Sequence, residues 1–315
     1  QNCRKLTGSP VCGNNVTNMS YIYQNCKNLT GSPVCGGKVI NIAYAYNSCT
    51  NITGSPVCGN SVTNMVAAYS MCNHIIGYPV CGNNVIDMAY TYSGCTNITG
   101  APVLGNKVVN MAYAYWNCQN IIGSPVCSNN IKNMTNAYSN CYKLTGSPVC
   151  GYNVTNMAFT YKNCQNLTGS PVCGPNVTNM SYAYTNCINL TGSPVCGNNV
   201  SMFDGAYQNC IKLTGLPVIG PNVISVTQAF LNCVNLSAGN QYWYAKNITS
   251  VYNCFGGKNN YRRYNIHCYS NCKTFNTIAN NNTLLPLVGQ NRIFWTNNGR
   301  CWYNTVYNIY IYPDL

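Results

Sequence analysis

Cysteine is the reactive side chain this sequence invests in: 23 of them stand in 315 residues, beside two histidines and three acids. A thiolate is a nucleophile and a metal ligand, and two thiols can close a disulfide. The spacing is regular. Cys3, Cys26, Cys49, Cys72, Cys95, Cys118, Cys141, Cys164, Cys187, Cys210 and Cys233 recur at intervals of 23 residues. A second column lies nine residues later at Cys12, Cys35, Cys58, Cys81, Cys127, Cys150, Cys173 and Cys196, with Leu104 and Ile219 in two of its places. A position that exchanges with Leu and Ile behaves as a small buried hydrophobe. Disulfides between the columns would leave Cys95 and Cys210 without partners, and residues stacked in one column point in parallel, which is poor bridging geometry. The spacing therefore predicts reduced, packed thiols, as in a protein that folds in a reducing cytoplasm.

Other catalytic chemistry has little to draw on. His74, His267, Asp87, Asp204 and Asp314 are scattered, so no triad, carboxylate pair or phosphate loop assembles, and the chain reads as non-enzymatic with no cofactor and no metal. Cys254, His267, Cys268, Cys272 and Cys301 cluster late in the chain, but their spacing is not that of a zinc ribbon or finger. His74 stands where other repeats carry Asn28, Asn51 or Asn97, so it reads as a polar group of the repeat rather than a base. The Asn-x-Ser/Thr sequons at Asn28, Asn51, Asn97, Asn166 and Asn189 arise from the repeat itself and are expected to be unglycosylated turn residues.

A fixed period of this length means one small structural unit per repeat, none able to bury its apolar face alone, so that neighbours share one long core. Counting from each periodic Cys, Leu or Ile stands at +3 (Leu6, Leu29, Ile52) and Val at +8 (Val11 to Val218), both expected to face inward. Val or Ile stands at +13, a Met-rich column at +16 (Met19, Met65, Met88, Met111), and an aromatic at +20 from Tyr23 to Phe230. Met111, Ala114 and Tyr115 have the i, i+3, i+4 spacing of a turn or two of helix. The Leu-Thr-Gly-Ser-Pro-Val-Cys segment is the one β candidate. Its Pro (Pro10, Pro33, Pro56) has no N–H for a ladder, which limits it to short strands.

The strings Ala-Tyr-x-Asn-Cys-x-Asn-Leu-Thr and Val-Thr-Asn-Met, seen for example between Ala114 and Ala137, resemble the 23-residue leucine-rich repeat of the BspA type over residues 1–239. Gly-Ser-Pro-Val-Cys departs from that family's run of alternating Ile. The resemblance implies a leucine-rich-repeat-like solenoid with short parallel strands plus short helices or turns in each repeat. It also implies use in adhesion, on bacterial or protist surfaces or in phage tail and virion proteins, and it implies no catalytic residues.

The expected organisation is a solenoid of about ten repeats over 1–239, then degenerate repeats and an aromatic, basic β cap over 240–315. Ile248 to Phe255 and Tyr269 to Phe275 copy parts of the repeat. Asn298-Gly299 marks an antiparallel hairpin within Arg292 to Tyr303, and Thr305 to Tyr312 a strand after it. The chain opens in mid-repeat with Gln1-Asn2-Cys3, so an upstream segment or another chain is expected to cover that end. No segment is apolar enough for a membrane span.

Lys and Arg number 16 against three acids, a net charge of +13, and the last quarter concentrates Lys246, Lys258, Arg262, Arg263, Lys273, Arg292 and Arg300. Such an excess favours polyanionic or glycan-rich surfaces. The charges form no stripe interleaved with aromatics, which argues against nucleic acid. A column at +18 carries Tyr21, Tyr44, Ala67, Tyr90, Tyr113, Asn136, Phe159 and Tyr182, and its tolerance of Ala and Asn suits an exposed position. Tyr21, Tyr44, Tyr90, Tyr113 and Tyr182, with Arg262, Arg263 and Arg300, are the candidate ligand-binding residues. The expected function is an extracellular or virion-associated module that binds a host-surface glycan or protein, alone or beside other copies or subunits of one particle. The rival expectation is a structural spacer or filament subunit that stacks on other chains.

Overall fold

The computed structural model describes residues 2–237, 239–245, 247–250, 254–255, 264–268, 295–297, 302–304 and 309–312. The chain divides into two compact units, Gln1–Val154 with Thr160–Leu167, and Thr155–Phe159 with Thr168–Leu315. The same repeat conformation recurs in both.

Each described repeat is built from turns. In the repeat that starts at Cys26, the amides of Ala45, Asn47 and Cys49 bond to the carbonyls three residues earlier, at Ile42, Tyr44 and Tyr46. The alternate amides, of Ile42, Tyr44, Tyr46 and Ser48, leave the repeat and donate to Asn64, Val66, Ala68 and Ser70 of the next one at 2.8–3.0 Å. Two amides point back, Thr30 to Gly8 at 3.0 Å and Ile40 to Thr17 at 2.8 Å. Parallel bridges join residues 23 apart, from Asn18 through Asn41, Asn64, Asp87 and Asn110 to Asn133 in the first unit, and from Asn156 through Asn179 and Met202 to Ser225 in the second, where a last bridge joins Ser225 to Ser250, 25 residues on.

The helix expected around Met111 to Tyr115 is this run of overlapping turns, because a helix cannot send every second amide sideways to a neighbour. Positions +18 and +22 supply the reversal: they hold φ between 51° and 64° at every non-glycine residue of both columns. Asn fills most of +22 (Asn25, Asn117, Asn140, Asn163) because it enters the left-handed region more easily than other non-glycine residues.

Beyond the first repeat, where Leu6 is 39 % exposed rather than inward, the core columns at 0, +3, +13, +16, +19 and +20 are buried: Cys72, Ile75, Val85, Met88, Ala68 and Tyr69 are all 0 % exposed. Val at +8 is not among them. Val11 is 74 % exposed and Val34, Val57 and Val80 are half-buried, while the preceding Pro33, Pro56 and Pro79 take the inward place. The segment expected to form strands pairs through a side chain instead. Tyr92 Oη donates to the Val80 carbonyl at 2.6 Å and accepts from the Val80 amide at 2.8 Å, and the same pair of bonds recurs from Tyr23 with Val11 to Tyr207 with Val195. Where Phe230 lacks the hydroxyl, Val218 is 45 % exposed. Gly54 at +5 has φ +79°, and a Cβ there would collide with Ser32 Oγ of the preceding repeat.

The second unit adds a five-stranded sheet of β1 (Gly239–Trp243), β2 (Tyr264–Cys268), β3 (Trp295–Asn297), β4 (Trp302–Asn304) and β5 (Ile309–Tyr312) in the order β1-β2-β5-β4-β3. β3 and β4, on either side of Asn298-Gly299, pair antiparallel with Asn297 opposite Trp302. The sheet is mixed rather than antiparallel throughout, since β1, β2 and β5 run parallel. Cys268, one of the late-chain Cys and His residues, is the last residue of β2. Trp243 of β1 lies 6.0 Å from Phe255, itself stacked on Phe230 at 5.5 Å. Tyr269 to Phe275 falls outside the described residues.

Replacing Tyr92 by Phe removes the partner of the part-buried amide and carbonyl of Val80. It should lower unfolding stability by about 1–3 kcal/mol, read as a reduced midpoint in urea. An unchanged midpoint would show that those bonds contribute nothing.

Candidate functional site: the left-handed aromatic column

The thiols are spent on structure. Cys49 Sγ donates to the Tyr23 carbonyl at 2.9 Å, and Cys72, Cys95, Cys118, Cys141, Cys164, Cys210 and Cys233 repeat the bond at 2.9–3.1 Å. These eight are buried free thiols. Burial pushes the thiols of Cys49, Cys95, Cys164 and Cys233 up to about 12, more than the hydrogen bond from the backbone lowers them. The second column is only half-buried, not the fully buried hydrophobe that exchange with Leu suggests, and Cys58, Cys127 and Cys173 are pushed up to about 11 by the same desolvation. A thiol with so high a pKa is a poor nucleophile at neutral pH. Among the described residues no three His, Cys, Asp or Glu side chains gather to hold a metal, and no helix is long and apolar enough to cross a membrane. Cys254 is buried at 2 % exposure, while Cys272 and Cys301 lie outside the described residues.

His74 Nδ1 lies 2.6 Å from the Thr50 carbonyl, in the place where Asn28 Nδ2 donates to Arg4 at 2.6 Å and Asn235 Nδ2 to Ile211 at 2.8 Å. It is a polar strut between repeats. The Asn28 and Asn235 sequons use the very nitrogen that would carry a glycan.

The column at +18 is the place where side chains are displayed at a cost. All ten of its residues are left-handed, with φ from 51° to 60°, and six of the ten are aromatic. For an L-residue other than Gly or Asn that conformation costs about 1–2 kcal/mol. Gly205 and Asn136 occupy the same position without that burden, so the backbone alone does not call for a ring there. The rings pair: Tyr21 stacks on Tyr44 at 4.8 Å and Tyr90 on Tyr113 at 4.5 Å, each pair within 5° of parallel, and in the second unit Phe159 stacks on Tyr182 at 5.1 Å. Tyr21 and Tyr90 are 41 % and 42 % exposed, whereas Tyr44, Tyr113 and Tyr182 are half-buried beneath their neighbours. The five tyrosines chosen from sequence therefore share one column but meet as pairs rather than as an even strip.

Arg262, Arg263 and Arg300 lie outside the described residues. Of the exposed aromatics outside that column, the two most open among the described residues are Tyr78 at 71 % and Tyr152 at 61 %. Each replaces a small or polar residue of its own column, Ser for Tyr78 and mostly Asn for Tyr152, and that single substitution is the only signal in the sequence. No family model, no curated protein and no solved structure matches the chain.

The folded thiols ionise later than unfolded ones, so their stabilisation is complete below about pH 9 and is lost as pH rises toward about 12. Urea midpoints should fall steadily across that window, and a flat profile would contradict the burial. Expression through a eukaryotic secretory route should leave Asn28 and Asn235 without glycan by peptide mass spectrometry, and occupancy at either would mean the inter-repeat bond is dispensable.

Proposed function

We propose that the chain is a BspA-like solenoid serving as a non-enzymatic binding and display module on an extracellular or virion surface, with a host-surface glycan or protein as its partner. The supporting observation is the left-handed aromatic column. Residues held in sparsely populated backbone regions persist where the rest of the fold over-determines them, and such outliers cluster at working sites. Here six rings sit in a conformation that Gly and Asn enter far more easily, and those at Tyr21 and Tyr90 face solvent. Rigid, exposed tyrosines give a large contact area for little loss of side-chain freedom. The reactive groups of the described residues are meanwhile engaged in backbone hydrogen bonds, as the thiols and His74 show. The net charge of +13 adds a long-range attraction to anionic envelopes.

Replacing Tyr21, Tyr44, Tyr90 and Tyr113 together by Asn, the residue nature places at 136, keeps the backbone conformation. Sedimentation with bacterial and animal-cell envelope fractions should show about a tenfold loss of binding or more, with circular dichroism unchanged. Undiminished binding to every fraction would favour the spacer or filament reading instead.

A further inference from the structure

Two thiols of the second cysteine column touch a thioether as well as a backbone carbonyl. Cys12 Sγ lies 3.4 Å from Met19 Sδ, and Cys127 Sγ lies 3.5 Å from Met134 Sδ. The carbonyls of Gly13 at 3.6 Å and Ser128 at 3.5 Å share the same thiol protons. We propose that each of these pairs is a binding site for a soft monovalent metal ion, copper(I), held by one thiolate and one thioether.

Ligand chemistry selects the ion. Thiolate and thioether are the soft donors that favour Cu(I), and Met supplies a donor type absent from any cluster of His, Cys, Asp and Glu. With metal–sulfur bonds of about 2.3 Å, sulfurs 3.4 Å and 3.5 Å apart subtend about 95–100° at the ion. The ion therefore lies beside the line joining the sulfurs, and its coordination keeps room for a third donor. The exchange balances: Cu(I) enters, the S–H bond breaks, one proton leaves for solvent, a Cu–S bond forms and no electron is transferred. The pair with its ion is then neutral. Neutrality matters where burial penalises charge, and desolvation pushes the Cys127 thiol up to about 11 against the lowering by the Gly151 and Ser128 backbone groups. A divalent ion on the same two sulfurs would leave a positive charge uncompensated in that setting.

The surroundings leave the thiol reachable and the thioether fixed. Cys12 and Cys127 are half-buried, whereas Met19 and Met134 are buried in the core. The next repeat gives way to the sulfur with a glycine: a Cβ on Gly36 would have Cys12 Sγ as its nearest atom, at 3.0 Å. All eight cysteines of the second column are followed by Gly 24 residues later, and where Leu104 replaces the Cys, Ser128 replaces that Gly. The glycine goes with the sulfur. Over Cys127 the amide of Gly151 donates to Sγ at 3.1 Å, and a hydrogen bond of this kind steadies a thiolate that holds a metal.

The test uses the whole reduced chain, loaded with Cu(I) under anaerobic conditions and titrated with the chelator bicinchoninate, with Zn(II) as the counter-probe. Met19→Ile with Met134→Ile introduces the residue that Ile42 already places at +16 and leaves the thiols untouched. It should weaken Cu(I) retention by about tenfold or more, with circular dichroism unchanged. Cys12→Leu with Cys127→Leu, after the pattern of Leu104, should release one ion for each pair removed. Cys196→Leu, whose repeat carries Phe203 at +16, should release none. Unchanged retention in the Met variant would overturn the sites and leave the sulfur contacts as packing. Equal loss from Cys196→Leu would overturn them too, since any half-buried thiol would then serve. Should the Met variant fail to fold, the two Cys variants carry the distinction by themselves. Zn(II) held as tightly as Cu(I) would overturn the choice of ion. None of these outcomes bears on envelope binding, which the sites do not require.

Discussion

The alternation of backbone hydrogen bonds governs the described repeats. One amide closes a turn within the repeat, the next crosses to the following repeat, and the pattern runs through +16 to +23. It can persist only if the chain enters the left-handed region at +18 and +22, as it does in every repeat. Much else follows from that constraint. Asn gathers at +22, a side chain at +18 is thrown outward, and alternate side chains at +16 and +20 turn inward to form the Met and Tyr columns of the core.

Inside, buried polar groups are matched with unusual economy of residue types. A Tyr hydroxyl occupies both backbone groups of a Val twelve residues earlier, and a Cys thiol shares the carbonyl of a Tyr with a backbone amide. Leaving such groups unpaired would cost about 1–3 kcal/mol each. Tyr rather than Phe at +20 is therefore a hydrogen-bonding choice as much as a packing one. Its rings also stack along the core, Tyr46 on Tyr69 at 5.5 Å and Tyr69 on Tyr92 at 5.7 Å.

Periodicity made the buried columns at 0, +3, +13, +16 and +20 legible, because burial repeats with the residue that needs it. The exposed character of Tyr21 and Tyr90 was legible too, from the tolerance of their column. Val at +8 misled, since apolar constancy there reflects packing beside the inward Pro and not a place in the core. The turns at Met111 to Tyr115 misled for another reason: i, i+3, i+4 spacing does not distinguish a helix from overlapping turns whose alternate amides leave the segment. The pairing of the tyrosines needed the left-handed geometry of +18, and no local residue preference announces that for Tyr or Phe.

The direction of the crossing amides has an electrical consequence. In an antiparallel sheet neighbouring peptide dipoles largely cancel. Here forward-pointing amides outnumber backward ones, four against two in the repeat from Cys26 and four against three in the repeat from Cys49. Peptide dipoles of about 3.5 D each are therefore left partly uncompensated. They add along each unit, with the N–H ends facing forward, so that the positive pole lies toward the later repeats. That polarity is the reverse of an α-helix, whose positive pole is at its N-terminus. An acidic group at the late side of such a unit is then favourably placed, whereas Asp204, inside the second unit, is held locally by Ser225 and by the backward-pointing amide of Thr227 in the following repeat.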